Sequence, residues 1–475
     1  MEGMAEAVRD TDTPEDAVAS IEEPVSLSST IPAHLFNDIH PWYVRYGIPL
    51  YLTSIFGLLL ASDLGSGVSA ETTVSVDGQV IFHSVILTVS IFSSVSELWK
   101  TESYPLAVLI VITSIMWPYI KLALSMYAWV APPLKRGGRG GRRRERLIEV
   151  LDVLGKWSFT DIFVLMIMVV AFRSTLALGQ TSTDVYIVPK WGFYGFVFAS
   201  VASLLSTHLI LHLHRKVIYP ELYSNKGANN RGVSNKDDDS KVLVLPEAEF
   251  DNTDVVVADK DDAIAPLWIK MGLSFKEALS IVLLLFIAFA LLGTGCFLTS
   301  FTFTYEQGDP SSSAYLYNTR DFSIANIGFN VRNAAISPNS FGIGFVQFFY
   351  FVLAVVTPLE NIVVLFVLYF VPMKDRIQRM LFFLAEITFA WGAVEVMMIS
   401  AIFSVKQIPD FGSGIVDTGC STCYVVGAIL RPTFWIYFVG AILNVFVTFW
   451  LFHRAHKHLY NDEKFFAKPS KCCWC

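Results

Sequence analysis

The sequence has 475 residues, of which 53% are hydrophobic and only 16% charged, against about 25% charged in ordinary soluble domains. That balance excludes a disordered chain and most soluble folds. A mean hydropathy of +0.51 in a chain with plainly polar stretches requires apolar residues to be gathered into runs long enough to cross a bilayer. The net charge of -7, with basic residues confined to short clusters, excludes a general nucleic-acid binder.

Residues 1–44 carry Glu2, Glu6, Asp10, Asp12, Glu15, Asp16, Glu22 and Glu23 against Arg9 and read as a disordered acidic tail. No apolar signal segment precedes Tyr46, so no cleaved targeting peptide is expected. Apolar runs follow near 46–62, 104–131, 150–173, 191–213, 278–300, 343–371, 381–403 and 432–452, which predicts eight spans. The first is short and would need a thinned bilayer or extension through Asp63. Val80 to Val95 is apolar too, but Ser84, Thr88, Ser90, Ser93, Ser94 and Ser96 recur through it. Its counterpart near 320–339 holds Arg320, Asp321, Asn326, Asn330, Arg332 and Asn333 and could not sit in lipid. Both stretches are expected to be folded loops outside the membrane.

The run from Lys135 to Arg146 is the densest basic stretch, and the positive-inside rule puts it in the cytoplasm. Parity then places Arg215, Lys216, Lys374, Arg376, Arg379, Arg454 and Lys457 on the same face, with both termini. A polar linker over 217–270, with Asp237, Asp238, Asp239, Asp261 and Asp262, reads as disordered. The expected organisation is a tail (1–44), a four-helix unit (45–216), the linker (217–270), a second four-helix unit (271–458) and a Cys-rich tail (459–475).

The two units read as a duplication. Pro118 and Pro132 stand 240 residues before Pro358 and Pro372, and Trp157 and Asp161 stand 234 before Trp391 and Glu395. The fold class predicted is an all-α membrane protein of two tandem, parallel four-helix units with small folded outer loops. Pro118 and Pro358 are expected to break their helices, and the unit interface offers a path.

Lys121 lies about 12 Å inside the interface, and Asp161 reaches a comparable depth if the third helix begins near Val150. A coupled pair supported by Ser158 and Thr160 is the expectation, serving either helix register or proton or conformational coupling. Removing one partner should then hurt more than removing both. Glu360, Glu386 and Glu395 form a second acidic set without a basic partner in the spans, and Asn361 stands where the first unit has Lys121.

Two histidine groups, His208, His212 and His214, and His453, His456 and His458, raise the reading of a membrane oxidase, but no His-His box completes it. Contact with lipid headgroups is the plainer role, and no metal or cofactor is expected. H-E-x-x-H, G-x-S-x-G and Walker A patterns are absent, so no enzyme is expected. Cys420 and Cys423 could form a local disulfide in an oxidising compartment. Cys472, Cys473 and Cys475 follow basic residues and are candidates for lipidation.

Tyr104-Pro105-Leu106-Ala107, Pro118-Tyr119-Ile120-Lys121 and Lys156-Trp157-Ser158-Phe159-Thr160-Asp161-Ile162-Phe163 together resemble the paraquat-inducible protein A family, which includes the lipophilic envelope-spanning tunnel A proteins. The resemblance covers about 100–175, is weaker in the second half and is absent from the tails and linker. It implies a tandem tetraspan fold, membrane lipids as cargo moved between membranes, and a lipid-transfer partner protein with mammalian-cell-entry domains. Two departures stand out: no cysteine precedes Cys296, so the family's zinc ribbons are missing, and the second unit has Glu360 and Asn361 in place of Ile120 and Lys121. A tetraspan-like scaffold organising membrane partners is the alternative.

Overall fold

The computed structural model describes residues 32–33, 41–76, 79–100, 104–131, 134–135, 139–178, 181–218, 264–307, 316–416 and 425–459. The acidic tail apart from Pro32–Ala33 and the last residues before the first span, nearly all of the linker, Cys420, Cys423, Cys472, Cys473 and Cys475 lie outside them. Among the described residues eight helices are long and apolar enough to cross a membrane: Trp42–Leu64, Tyr104–Val130, Arg144–Ala171, Trp191–Lys216, Phe275–Phe297, Phe341–Phe370, Asp375–Pro409 and Phe434–Leu459, numbered here as spans one to eight.

Several boundaries differ from the sequence reading, among them span seven, which runs Asp375–Pro409, and span eight, which ends at Leu459. The first span has 23 residues, about 34 Å at helical rise: it takes the expected extension through Asp63, buried at that end, and Trp42 and Tyr43 lengthen it at the other, so no thinned bilayer is needed. The third begins at Arg144 because Ile148, Leu151 and Asp152 are buried alongside its charged residues.

The outer loops carry β-sheets beside two short helices, Ile91–Lys100 and Ile324–Ala334, which corrects the all-α expectation. In 68–89, β1 (Val68–Val76) and β2 (Gln79–Val89) form a hairpin, and β3 (Ser174–Leu178) with β4 (Thr181–Pro189) forms another. They join in one antiparallel sheet, order β2-β1-β4-β3, registered from Val68↔Pro189 to Val76↔Thr181. A second sheet, order β6-β5-β7, is built from β5 (Thr299–Gln307), β6 (Leu316–Ser323) and β7 (Val425–Leu430). Both sheets stand at the same end of the bundle: the Tyr305 hydroxyl donates to the Ala171 carbonyl (2.8 Å) and Arg320 to that of Arg173 (3.2 Å), both at the end of span three. The basic clusters lie at the other end.

Each half carries the same local devices. Spans one and four meet where a Cβ on Gly195 would lie 2.3 Å from Ser62 Oγ; spans five and eight meet where one on Gly295 would lie 2.7 Å from the Tyr437 Cα. Small residues permit such close crossings without water to drive them. Pro118 and Pro358 do not end their helices. A π-helical turn precedes each, Val111–Met116 and Val352–Val356, and the wider turn absorbs the ring while the span continues.

At the base of the first sheet Glu71 accepts hydrogen bonds from Ser69 Oγ (2.6 Å) and Lys190 Nζ (2.7 Å), with His83 Nε2 at 3.2 Å. Burial alone would push its carboxyl up, but the Lys190 ammonium and these hydrogen bonds hold it below the ordinary carboxylate value. A depressed folded-state value means stability present above about pH 4.3 and lost as pH falls through the lower folded value. Amide exchange over 68–89 should therefore accelerate below about pH 4, and Glu71→Gln should flatten that acid limb; an unchanged limb would show that Glu71 does not hold the sheet.

Candidate functional site: an intramembrane charge junction and an apolar cavity

The spans of the two halves meet around a break in span seven. The helix pauses at Gly392–Ala393, which frees backbone groups inside the bundle. Ala393 N–H donates to the Leu353 carbonyl (2.9 Å), the oxygen whose i+5 partner in the π turn would be Pro358, a residue without an N–H. Lys156 Nζ donates to the Phe389 (3.3 Å) and Gly392 (3.1 Å) carbonyls, lies 4.3 Å from the Phe389 ring centre and forms an ion pair with Glu395. Lys156 is only 1% exposed and opens a 3₁₀ turn, Lys156–Phe159, in span three. The tighter turn turns the lysine toward the break in span seven.

Closer to the basic end, Arg215 of span four is wholly buried and bridges Glu145 Oε1 (3.2 Å) and Glu149 Oε1 (2.9 Å) of span three and Glu386 of span seven. Between these two nodes, Trp391 Nε1 donates to His208 Nε2 (3.1 Å), leaving the ring proton on Nδ1, 3.0 Å from Asp152 Oδ2. Glu386 and Glu395 thus have basic partners in the first half, contrary to the expectation of an unpartnered set. His208 and His214 are buried in the bundle, not at lipid headgroups, while His453 and His458 are exposed.

Lys121 and Asp161 do not meet. Lys121 lies nine residues from Val130, about 13 Å from the basic end, whereas Asp161 lies seventeen residues from Arg144, about 26 Å from it. The earlier start of span three carries Asp161 a full two turns past the lysine. Asp161 instead accepts from Ser114 and faces the Asp63 carboxylate, and Tyr119 donates to Asp63 Oδ2 (2.7 Å). Lys121 faces Asp152 and packs against Gly155, where a Cβ would lie 2.5 Å from Nζ. Its Nζ has no hydrogen-bond partner among the described residues. Ser158 is buried, and Thr160 Oγ1 donates to the Trp157 carbonyl (2.7 Å) while its own carbonyl accepts from Ser400 (3.4 Å). Asn361 Nδ2 donates to Thr448 (2.9 Å) and its oxygen accepts from Thr388 (3.3 Å), a neutral network tying spans six, seven and eight. Glu360 is exposed.

An apolar cavity of about 140 Å³ lies beneath the first sheet, between Val68, Ala70 and Leu87 of the sheet, Leu106 and Ile110 of span two, Val164, Leu165 and Met168 of span three, and Phe193 of span four; Asp161 closes its deep end. A cavity of about 150 Å³ takes a benzene-sized guest, so this one fits a short stretch of hydrocarbon. Among the described residues, Glu145, Glu149 and His456 bring one ligand atom each within 4.8 Å of one another. Arg215 already supplies positive charge to both carboxylates.

Lys156 stands in the sequence only within the Lys156–Phe163 motif and Arg215 only as a topology marker, so neither by itself points to the junction. The available signal was Lys156 directly before Trp157, mid-span once the third helix is started at Arg144.

Residues 81–213 match the model of the paraquat-inducible protein A family. The intermembrane transport protein PqiA of Escherichia coli K12 is 35% identical over 80 residues, 17% of this chain and 19% of the relative. The proteins of the same name from Escherichia coli O6:H1 and Shigella flexneri give the same values. The chain therefore spans about a fifth of the length of these curated relatives. No solved structure matches it. Residues 81–213, which hold spans two to four with Lys121, Lys156 and Asp161, are thus similar to the paraquat-inducible protein A family.

Proposed function

We propose that this chain is a non-enzymatic membrane protein of the paraquat-inducible protein A type that moves lipids between membranes, handing them to a lipid-transfer partner protein. One observation carries the reading: the family-like stretch, 81–213, supplies every lining residue of the apolar cavity except Gly67, Val68 and Ala70. The relatives' printed name, intermembrane transport protein, gives the class of activity. An apolar cavity at membrane depth suits an acyl chain, whose headgroup would stay near the sheet.

The reading takes 45–216 and 271–458 as duplicated units, supported by the matched π turns, prolines, glycine crossings and span-to-hairpin order. It takes the basic end as cytoplasmic, supported by its Lys and Arg content and by the pairing of Pro32–Ala33 with Leu134–Lys135, which brings the N-terminal segment to the basic loop. The tails (1–44, 459–475) and linker (217–270) would share that side.

Fluorescent phospholipid transfer from vesicles holding the purified protein tests the proposal. Transfer above protein-free vesicles is expected, reduced severalfold by Met168→Trp, which fills the cavity. Transfer equal to protein-free vesicles would sink the transport reading and leave the scaffold.

A further inference from the structure

The sixth span carries a carboxylate that nothing among the described residues uses. Glu360 is exposed and makes no hydrogen bond or ion pair among the described residues. It lies ten residues from Phe370, about 15 Å from the basic end and so near mid-depth of a hydrocarbon layer about 30 Å thick. Its neighbours at helical spacing are Val356 (50% exposed) and Val363 (49%), an apolar outward stripe. Span two has the same kind of face, and at the corresponding position it has Ile120, also exposed. One face is built for lipid; the other has a charge where lipid should be.

A carboxylate at that depth needs a counter-charge or a donor. The described residues of a second copy of this chain do not offer one. Among the described residues, the exposed lysines and arginines of the spans, Arg146, Lys216, Lys276, Arg376, Lys406 and Lys457, all lie within three residues of a span end, and facing copies would set Glu360 against Glu360. We propose that the Val356–Glu360–Val363 face of span six is the docking surface for a transmembrane helix of another protein that carries a Lys or Arg at matching depth. The charge sets the partner's chemistry and depth, and the apolar stripe supplies the packing. This inference does not depend on lipid being the cargo.

The test is photocrosslinking in native membranes from benzophenone side chains at Val356 and Val363, with Met116 on span two as the control face and the crosslinked peptides sequenced by mass spectrometry. The expected result is an adduct, absent at Met116, whose peptide comes from a span of a different protein and contains Lys or Arg. Glu360→Leu should lower its yield roughly tenfold, while the purified Glu360→Leu protein melts no lower than the parent. Adducts with lipid alone, with this same chain, or with a span lacking a cation would overturn the proposal. So would a yield unchanged in Glu360→Leu, or a fall in melting temperature, which would reveal an internal partner for Glu360.

Discussion

Lys156→Met should destabilise the protein by about 3 to 5 kcal/mol, because it leaves Glu395 without its counter-charge and the carbonyls of Phe389 and Gly392 without a donor. Glu395→Gln should cost less, since the ammonium keeps both carbonyls and the Phe389 ring. The double variant should lose less than the sum of the two, by about 1 to 3 kcal/mol of coupling. Thermal or steric-trap unfolding in nanodiscs measures the cycle. Strict additivity would mean that the two charges are not coupled. The same cycle on Lys121→Met and Asp161→Asn serves as its opposite: those residues sit about two helical turns apart in depth, and their losses should add.

Arg215→Met carries the other large effect. It leaves Glu145, Glu149 and Glu386 gathered at the junction of spans three, four and seven with no guanidinium among them. Removing one member of such a buried group costs about 3 to 5 kcal/mol. Arg215→Lys keeps the charge yet should recover only part of the loss, because an ammonium cannot fork across carboxylates from two helices. Full recovery by lysine would reduce the site to a point charge, and a Met variant as stable as the parent would show that the cluster does not hold the halves together.

These two nodes also mark where the sequence was hard to read. Apolar runs located eight spans because span-length hydrophobicity is a local signal. The serine-rich 80–95 stretch and the charged 320–339 stretch read as non-spanning, but the sheets built beside them are not legible, since β1 pairs with β4, and β5 with β7, across more than a hundred residues. Span three starts before its apolar run: Arg144, Glu145 and Glu149 look like a loop in the sequence, and only the fold brings Arg215 to neutralise the glutamates. A helix begun near Val150 sets Asp161 close to the depth of Lys121, whereas the start at Arg144 carries it about two turns beyond. The prolines were legible as local events, but the π turns that accommodate them, and the donation from Ala393 to Leu353, arise only from packing. Partners chosen across the interface, Lys156 with Glu395 and Arg215 with Glu386, leave no trace in either segment alone.

The claim that lipid enters the cavity beneath the first sheet is tested most directly by a phospholipid with a diazirine near its acyl terminus. After illumination of the reconstituted protein, the label should map to peptides holding Met168, Leu106 and Leu87, and Met168→Trp should abolish it while the fold persists. Label confined to the outward faces of spans two and six, and indifferent to Met168→Trp, would contradict the account.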